Sequence, residues 1–246
     1  MKIDNFLLMS GVDIPLTSSN IVIHNPTINE LATVFLYEDD FLTGFEFLFF
    51  SKDRLSHNEQ EALAALSDFD ILLALLMSDD DAVMKHEIQC VKNLLCLLFK
   101  QYDKIEYNES GICLIKDEYT YIIDDNLFVD FKKIINQMFP LKKNKKDADF
   151  NPQSRKAKEI AEKLKKGRER VLQQQKAQGI NESLFDRYIS ILSVGLQMSV
   201  LEFFNWNVYQ LFSIFERYEK KEIYDVHLQA QLAGATGMKE VDHWMM

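Results

Sequence analysis

A basic segment near the middle of this 246-residue chain constrains its fold more than any other feature. Residues 142–176 contain thirteen Lys or Arg against five Asp or Glu, a local balance of +8 in a chain whose net charge is −10. The segment has one aromatic residue, Phe150, whereas both flanks are dense in Phe, Tyr, Leu and Ile. This change in charge and composition predicts a solvated, mostly helical tether between two globular parts.

Composition and hydropathy predict the architecture of those parts. Residues 1–140 are predicted to form an α+β domain, mostly helical with a small antiparallel sheet. Residues 141–179 are predicted to form the basic helical linker, and residues 180–246 an all-α, aromatic-rich domain. The low content of Gly (8) and Pro (4) favours helices over a turn-rich barrel or sandwich. A weak seven-residue apolar repeat in the linker favours a solvated helix over a dedicated coiled-coil seam.

Local signals place individual elements. Residues 104–107, 112–115 and 119–123 alternate as strands, and the turn-forming residues between them predict an antiparallel meander. Thr27 with Glu30, and Ser199 with Glu202, have the spacing of a capping box at a helix start. Further helices are predicted at residues 58–66 and after the three aspartates at 79–81. The first residues of the chain are predicted to be polar and extended.

The sequence offers no motif for a reaction centre. The five histidines lack the spacing of a metal-binding motif, and the aspartates at 79–81 are interpreted as a helix cap instead of a metal site. Cys90, Cys96 and Cys113 are interpreted as buried, reduced thiols because their odd number fits no disulfide framework. Phosphate-binding loops and nucleophile elbows are also missing from the sequence. We therefore expect a protein that is not an enzyme and that uses neither a cofactor nor a metal.

The basic tether raises the alternative of nucleic-acid binding. Its candidate contact residues are Arg155, Lys156, Lys165, Lys166, Arg168 and Arg170. These cations lack interleaved aromatic residues for base stacking, and acidic parts flank them on both sides. Contact with an acidic protein surface, or solvation alone, is the favoured interpretation. The expected partner is therefore a protein, with nucleic acid as the weaker alternative.

Aromatic residues in the last part of the chain predict a protein-binding surface. About 65 residues can bury only some of these side chains, and the remainder favour a partner surface. Four residues are the predicted contacts: Trp206, Tyr209, Phe212 and Trp244. The alternative is that they form the core of this part.

A family resemblance sharpens this expectation. The segments LFDRYISILS (184–193), NVYQLF (207–212) and FERY (215–218) resemble a tailed-bacteriophage morphogenesis family. The ending LAGA (232–235) with VDHWM (241–245), and the basic SRKAKEIA (154–161), are similar to it as well. The resemblance implies a phage protein of the tail or virion assembly set, such as a tail assembly chaperone that keeps the tape-measure protein soluble. A chaperone of this kind has no catalytic residues, so the resemblance implies none for this chain.

Three classes of function stay open at this point. The first is a non-enzymatic assembly protein in the cytoplasm of the bacterial host, with a tail or virion protein as its partner. The second is a structural component of the finished virion, in the tail, neck or baseplate, and the third is a nucleic-acid-binding regulator that uses the tether. Self-association into a homo-oligomer is a further alternative. With no long apolar run and no secretory signal, no membrane association is expected.

Overall fold

The computed structural model describes residues 3–16, 19–52, 65–78, 84–141, 183–234 and 243–245. The basic tether with its six candidate cations, the aspartates at 79–81 and nearly all of the predicted helix at 58–66 lie outside these residues. Contacts group the chain into two units, one formed by residues 1–140 with 188–246 and the other by residues 141–187. The predicted three-part division into domains stays a prediction.

The described elements confirm the α+β class of the first part and the all-α class of the last. The helices are α1 (Asn5–Ser10), α2 (Ile28–Val34), α3 (Glu38–Leu48), α4 (Asp68–Met77), α5 (Lys85–Leu98), α6 (Asp125–Met138), α7 (Leu184–Leu196), α8 (Val200–Phe203) and α9 (Val208–Leu232). The strands are β1 (Ile14–Pro15), β2 (Val22–Ile23), β3 (Lys104–Asn108), β4 (Gly111–Lys116) and β5 (Tyr119–Ile123).

Side-chain caps fix where several helices begin. Thr27 and Ser199 form the two predicted capping boxes, and Ser67 and Asn207 form two more at the starts of α4 and α9. In each box the cap side chain accepts a hydrogen bond from a backbone amide that the helix leaves unpaired. The sequence therefore encodes these boundaries locally.

The prediction of an extended N-terminus is wrong, because residues 5–10 form α1. Asp4 caps this helix by accepting a hydrogen bond from the Phe6 amide, and Gly11 ends it at a φ of 73°. Only Leu8 of the helix is buried. Such a short helix is marginal by itself and depends on its tertiary contacts, which include α9.

The predicted meander is confirmed. Strand β4 lies between β3 and β5, antiparallel to both, with Ile112 opposite Tyr107 on one side and Ile123 on the other. Gly111 opens β4 at a φ of 135°, and a methyl group there would lie 2.2 Å from the Ile123 carbonyl oxygen. Only glycine fits this position without strain. Two shorter strands, β1 and β2, form a separate antiparallel pair.

A ring-rich core joins the helices of the first 140 residues. Phe41 on α3 packs edge-on against Phe139 at 5.5 Å between ring centroids, and Phe99 stacks on Phe131 at the same separation. These four rings are almost completely buried. Helices α3 and α5 form the most extensive helix pair in this part. The apolar face of α6 packs against α4 and β5.

The C-terminal helices are tied to the first part by hydrogen bonds at two helix starts. The amides of Ile28 and Asn29, at the beginning of α2, donate to the carbonyl oxygens of Trp206 (2.8 Å) and Phe204 (2.9 Å). Asn207, only 1% exposed, donates from Nδ2 to the Leu8 carbonyl oxygen at 3.0 Å. Residues 204–207 thus satisfy backbone groups of α1 and α2 that would otherwise be unpaired.

Few residues of the second unit are described. Ser183 lies just before α7, and its hydroxyl accepts a hydrogen bond from the Asp186 amide at 3.0 Å. Its carbonyl oxygen accepts from the Arg187 amide at the same distance. These bonds define the first turn of the helix.

Candidate functional site

The four predicted aromatic contacts lie in different surroundings. Phe212 is 5% exposed and packs edge-on against Tyr188 at 4.9 Å, so it is a core side chain in the folded chain. Trp206 is half-buried against Phe203. Tyr209 is also half-buried. A partner could reach Phe212 only after local opening, and the role of the other aromatics stays a prediction.

Trp244 lies beside the outer part of α9. Its indole stacks on the His243 ring at 5.9 Å, and His243 packs edge-on against Tyr224 at 4.9 Å. The described end of the chain therefore returns to α9. Trp244 keeps part of its surface in solvent, which leaves it available to a partner.

A more exposed apolar surface lies where α7 turns into α8. We call it the apolar corner, and its members are Ile191, Val194, Leu196, Val200 and Leu201. Val194 is 81% exposed and Leu201 is 74% exposed. The Ser193 hydroxyl donates to the Met198 carbonyl oxygen at 2.7 Å and closes the turn between the two helices. Local hydrogen bonds thus hold apolar side chains on either side of the turn.

The helices behind this corner pack closely. Gly195 lies against the Tyr218 ring of α9, where a methyl group would come within 2.3 Å of the ring. Tyr188 on α7 stacks on Phe215 of α9 at 3.9 Å, with the rings nearly parallel. The buried side of α7 is thus held against α9, while Val194 points into solvent. Exposed aliphatic side chains on both sides of one turn are candidates for a binding surface.

The outer half of α9 is also exposed. Its buried residues, Val208, Leu211 and Phe212, all lie in the first two turns. Farther along, Ile223 and Val226 are exposed, and the helical period places them with Ala230 on one face. This stripe is a second exposed apolar surface.

A charged cluster lies where His24, just after β2, meets Glu30 on α2 and Lys100, just after α5. His24 is buried, with Nδ1 at 2.7 Å from Asp13 Oδ1 and Nε2 at 3.1 Å from Glu30 Oε2. The Glu30 carboxylate also accepts hydrogen bonds from Lys100 and from the amide and hydroxyl of Thr27. Both Glu30 oxygens already accept hydrogen bonds from Thr27, His24 or Lys100. The geometry therefore indicates that the cluster has a structural role.

The cluster favours the ionised form of the Glu30 carboxyl group. Burial alone raises the pKa of its carboxyl group, but the hydrogen bonds from Lys100, Thr27 and His24 outweigh burial and lower the pKa to about 2. A carboxyl whose pKa falls on folding stabilises the fold above its ordinary pKa of 4.5. That contribution disappears as the pH falls from about 4.5 towards 2.

We therefore expect Glu30→Gln to remove part of the acid sensitivity of the protein. Glu30 is partly solvent-exposed, so the contribution is reduced by screening to about 1–2 kcal/mol. Urea unfolding between pH 2 and pH 7 should show a smaller loss of unfolding free energy in the variant. Glu118→Gln, in the exposed turn between β4 and β5, is the control and should follow the wild type. Identical profiles for wild type and Glu30→Gln would contradict the contribution of Glu30 to acid sensitivity.

A second polar group lies between α3 and α5. His86 Nε2 is 3.2 Å from Asp40 Oδ1 and 3.7 Å from Cys90 Sγ, and the three donor atoms all lie within 4.8 Å of one another. Cys90 is buried, Asp40 is half-buried and the His86 side chain is 66% exposed. Burial, with the nearby charges of Asp40 and Glu87, raises the pKa of the Cys90 thiol. We call these three residues the Asp–His–Cys group.

Sequence reasoning missed this group. His86 and Cys90 are four residues apart on one helix, a spacing that was a usable signal for a shared face. Asp40 lies on another helix, and only the packing of α3 on α5 brings it close. The interpretation of all three cysteines as buried is wrong for Cys96, which is exposed on α5, whereas Cys90 and Cys113 are buried.

Comparisons with known proteins concern the last part of the chain. Residues 174–246 match the family model of the YomV second domain, which is a phage-derived family. The match covers less than a third of the chain and includes the whole apolar corner. No curated protein and no solved structure matches the chain. No described helix is both long and apolar enough to cross a bilayer.

Proposed function

We propose that this protein is a non-enzymatic phage assembly protein that binds another phage protein through its C-terminal helices. The observation that carries the proposal is the apolar corner, where Val194 and Leu201 are mostly exposed. The segment that contains the corner is the one similar to a phage-derived family. A binding surface within that segment agrees with the assembly role that the family resemblance implies.

The chemistry of the corner favours an amphipathic helix as the partner segment. Its exposed side chains are all aliphatic, and the adjoining α9 presents a helical stripe of the same kind. An apolar helix face gains free energy when it covers such a surface, and the net charge of −10 helps to keep the complex soluble. A tail assembly chaperone that shields a long helical client, such as a tape-measure protein, fits this description best.

The double substitution Val194→Glu with Leu201→Glu should abolish partner capture and leave the fold intact. Both side chains are exposed, so the free energy of unfolding should change by no more than about 0.5 kcal/mol each. Two carboxylates in an apolar contact should weaken binding by about 30-fold or more. Tagged wild type and variant are expressed in host cells during phage infection, and quantitative mass spectrometry measures the phage proteins that co-purify.

Leu36→Glu is the matched control for that experiment. Leu36 is 89% exposed and lies outside the segment that matches the phage-derived family. This control should capture the same phage protein as the wild type. Equal capture by the corner variant, or no phage protein captured by the wild type, would contradict the proposal.

Mass spectrometry of purified particles separates the assembly role from its alternatives. An assembly chaperone should be present in infected cells and depleted from finished particles. A structural virion component would be present in particles in fixed proportion to the other tail proteins. A nucleic-acid-binding regulator would bind DNA with a steep salt dependence that is lost when the tether cations are neutralised.

A further inference from the structure

The Asp–His–Cys group brings together three of the donor types that divalent zinc prefers. Cys90 offers sulfur, His86 offers an imidazole nitrogen and Asp40 offers a carboxylate oxygen. Zinc sites commonly combine these ligands, and sites with three protein ligands leave a fourth position for water or another molecule. The chemistry of the set is therefore that of an open zinc site.

Two of the three distances between the donor atoms are close to what zinc requires. Tetrahedral zinc with ordinary bond lengths places a nitrogen and an oxygen ligand about 3.3 Å apart, and a nitrogen and a sulfur ligand about 3.6 Å apart. His86 Nε2 lies 3.2 Å from the Asp40 oxygen and 3.7 Å from the Cys90 sulfur. The Asp40 oxygen and the Cys90 sulfur lie within 4.8 Å of each other, so one cation can contact all three atoms once the side chains adjust.

One proton on His86 Nε2 can be shared with only one of its two neighbours. His86 Nε2 is the ring atom nearest to both Asp40 and Cys90, and it carries at most one proton. A single N–H cannot point at both neighbours with good geometry. A cation between the three donors would interact with all of them at once.

The fold positions the three residues in the absence of a metal ion. Gly44 on α3 lies against the backbone of Cys90 on α5, so closely that a methyl group would come within 2.7 Å of the Cys90 carbonyl oxygen. Asp40 is one turn before Gly44, and His86 is one turn before Cys90. The close contact of the two helices therefore positions Asp40 beside His86 and Cys90.

We propose that Asp40, His86 and Cys90 bind one zinc ion, with the fourth coordination position open to solvent on the His86 side. The ion links α3 to α5 and stabilises the pairing of the two helices. The inference does not depend on the proposed assembly function, because the group lies outside the residues of the apolar corner and of the family match. A site of this kind should also accept Co²⁺, which has similar ligand preferences and a visible spectrum.

Cobalt titration of the metal-free full-length protein tests the proposal. One equivalent of Co²⁺ should produce the charge-transfer absorption of a cobalt–thiolate bond, and Zn²⁺ should displace it. Removing a ligand should weaken binding by at least roughly 100-fold, since even a residue that only supports a ligand contributes about 10–100-fold. The variants are Cys90→Ser, His86→Ala and Asp40→Asn.

Cys96→Ser is the matched control, because it removes an exposed thiol from the same helix and leaves the group intact. It should bind Co²⁺ as the wild type does. His86→Ala changes an exposed side chain, so it keeps the test valid if Cys90→Ser fails to fold. Zn²⁺ should raise the Tm of the wild type and of Cys96→Ser, but not that of His86→Ala. The proposal is overturned if no thiolate band forms, or if His86→Ala binds as tightly as the wild type.

Discussion

Replacing Asn207 with Ala should lower the free energy of unfolding by about 3 kcal/mol. The side-chain oxygen of Asn207 accepts a hydrogen bond from the Gln210 amide at 2.7 Å and caps α9. Its amide nitrogen donates to the buried Leu8 carbonyl oxygen. Alanine removes the cap, worth about 1 kcal/mol, and leaves a buried carbonyl unpaired at a cost of about 1–3 kcal/mol.

Urea denaturation followed by circular dichroism measures this effect, and Ser199→Ala is the matched control. Ser199 also caps a helix, α8, but its capping hydrogen bonds are exposed, so its replacement should cost only about 1 kcal/mol. Asn207→Ser keeps an oxygen for the cap and lacks the amide donor, and it should fall between the two. If Asn207→Ala costs no more than Ser199→Ala, the hydrogen bond to Leu8 does not tie α9 to α1.

Replacing Gly44 with Val should be similarly damaging, at about 3 kcal/mol. The first added carbon would lie 2.7 Å from the Cys90 carbonyl oxygen and 2.9 Å from its carbonyl carbon. Both are backbone atoms of α5, so they cannot move aside as a flexible side chain could. The two helices must separate, and the aromatic core around Phe41 loses packing with them.

The control for this change is Glu46→Val, which introduces the same β-branched side chain at an exposed position of α3. It should cost less than about 1 kcal/mol. Gly44→Val should also weaken Co²⁺ binding although it changes none of the three proposed ligands, because it moves Asp40 away from His86 and Cys90. Thermal unfolding and cobalt titration of the two variants provide the comparison. Wild-type stability in Gly44→Val would contradict the close helix contact.

Much of the fold follows from local sequence signals. Thr27 with Glu30, and Ser199 with Glu202, specify helix starts by themselves, and the alternation in residues 104–123 specifies the meander. These signals act between residues close in sequence, so no knowledge of the tertiary fold is needed to read them. The same local signals explain why the predicted α+β class of residues 1–140 and the predicted all-α class of the last part are confirmed.

Elements and sites that depend on distant residues were not predictable in this way. The short helix α1 has a cap at Asp4 and a glycine stop at Gly11, yet it buries a single residue and relies on contacts with α9, almost 200 residues later. Asp40 and His86 are likewise joined only by helix packing. Phe212 and Val194 both lie in aromatic or aliphatic helical segments, and only the fold buries the first and exposes the second.

Site-specific photo-crosslinking tests the central claim, which is that the apolar corner contacts a phage protein during assembly. A photoreactive amino acid is introduced at Val194 and, separately, at Leu36, which is at least as exposed. Both proteins are irradiated in infected host cells. We predict one dominant crosslink from position 194 to a single phage-encoded protein, and little of that product from position 36. Equal yields from the two positions, or crosslinks from position 194 to host proteins alone, would contradict the account.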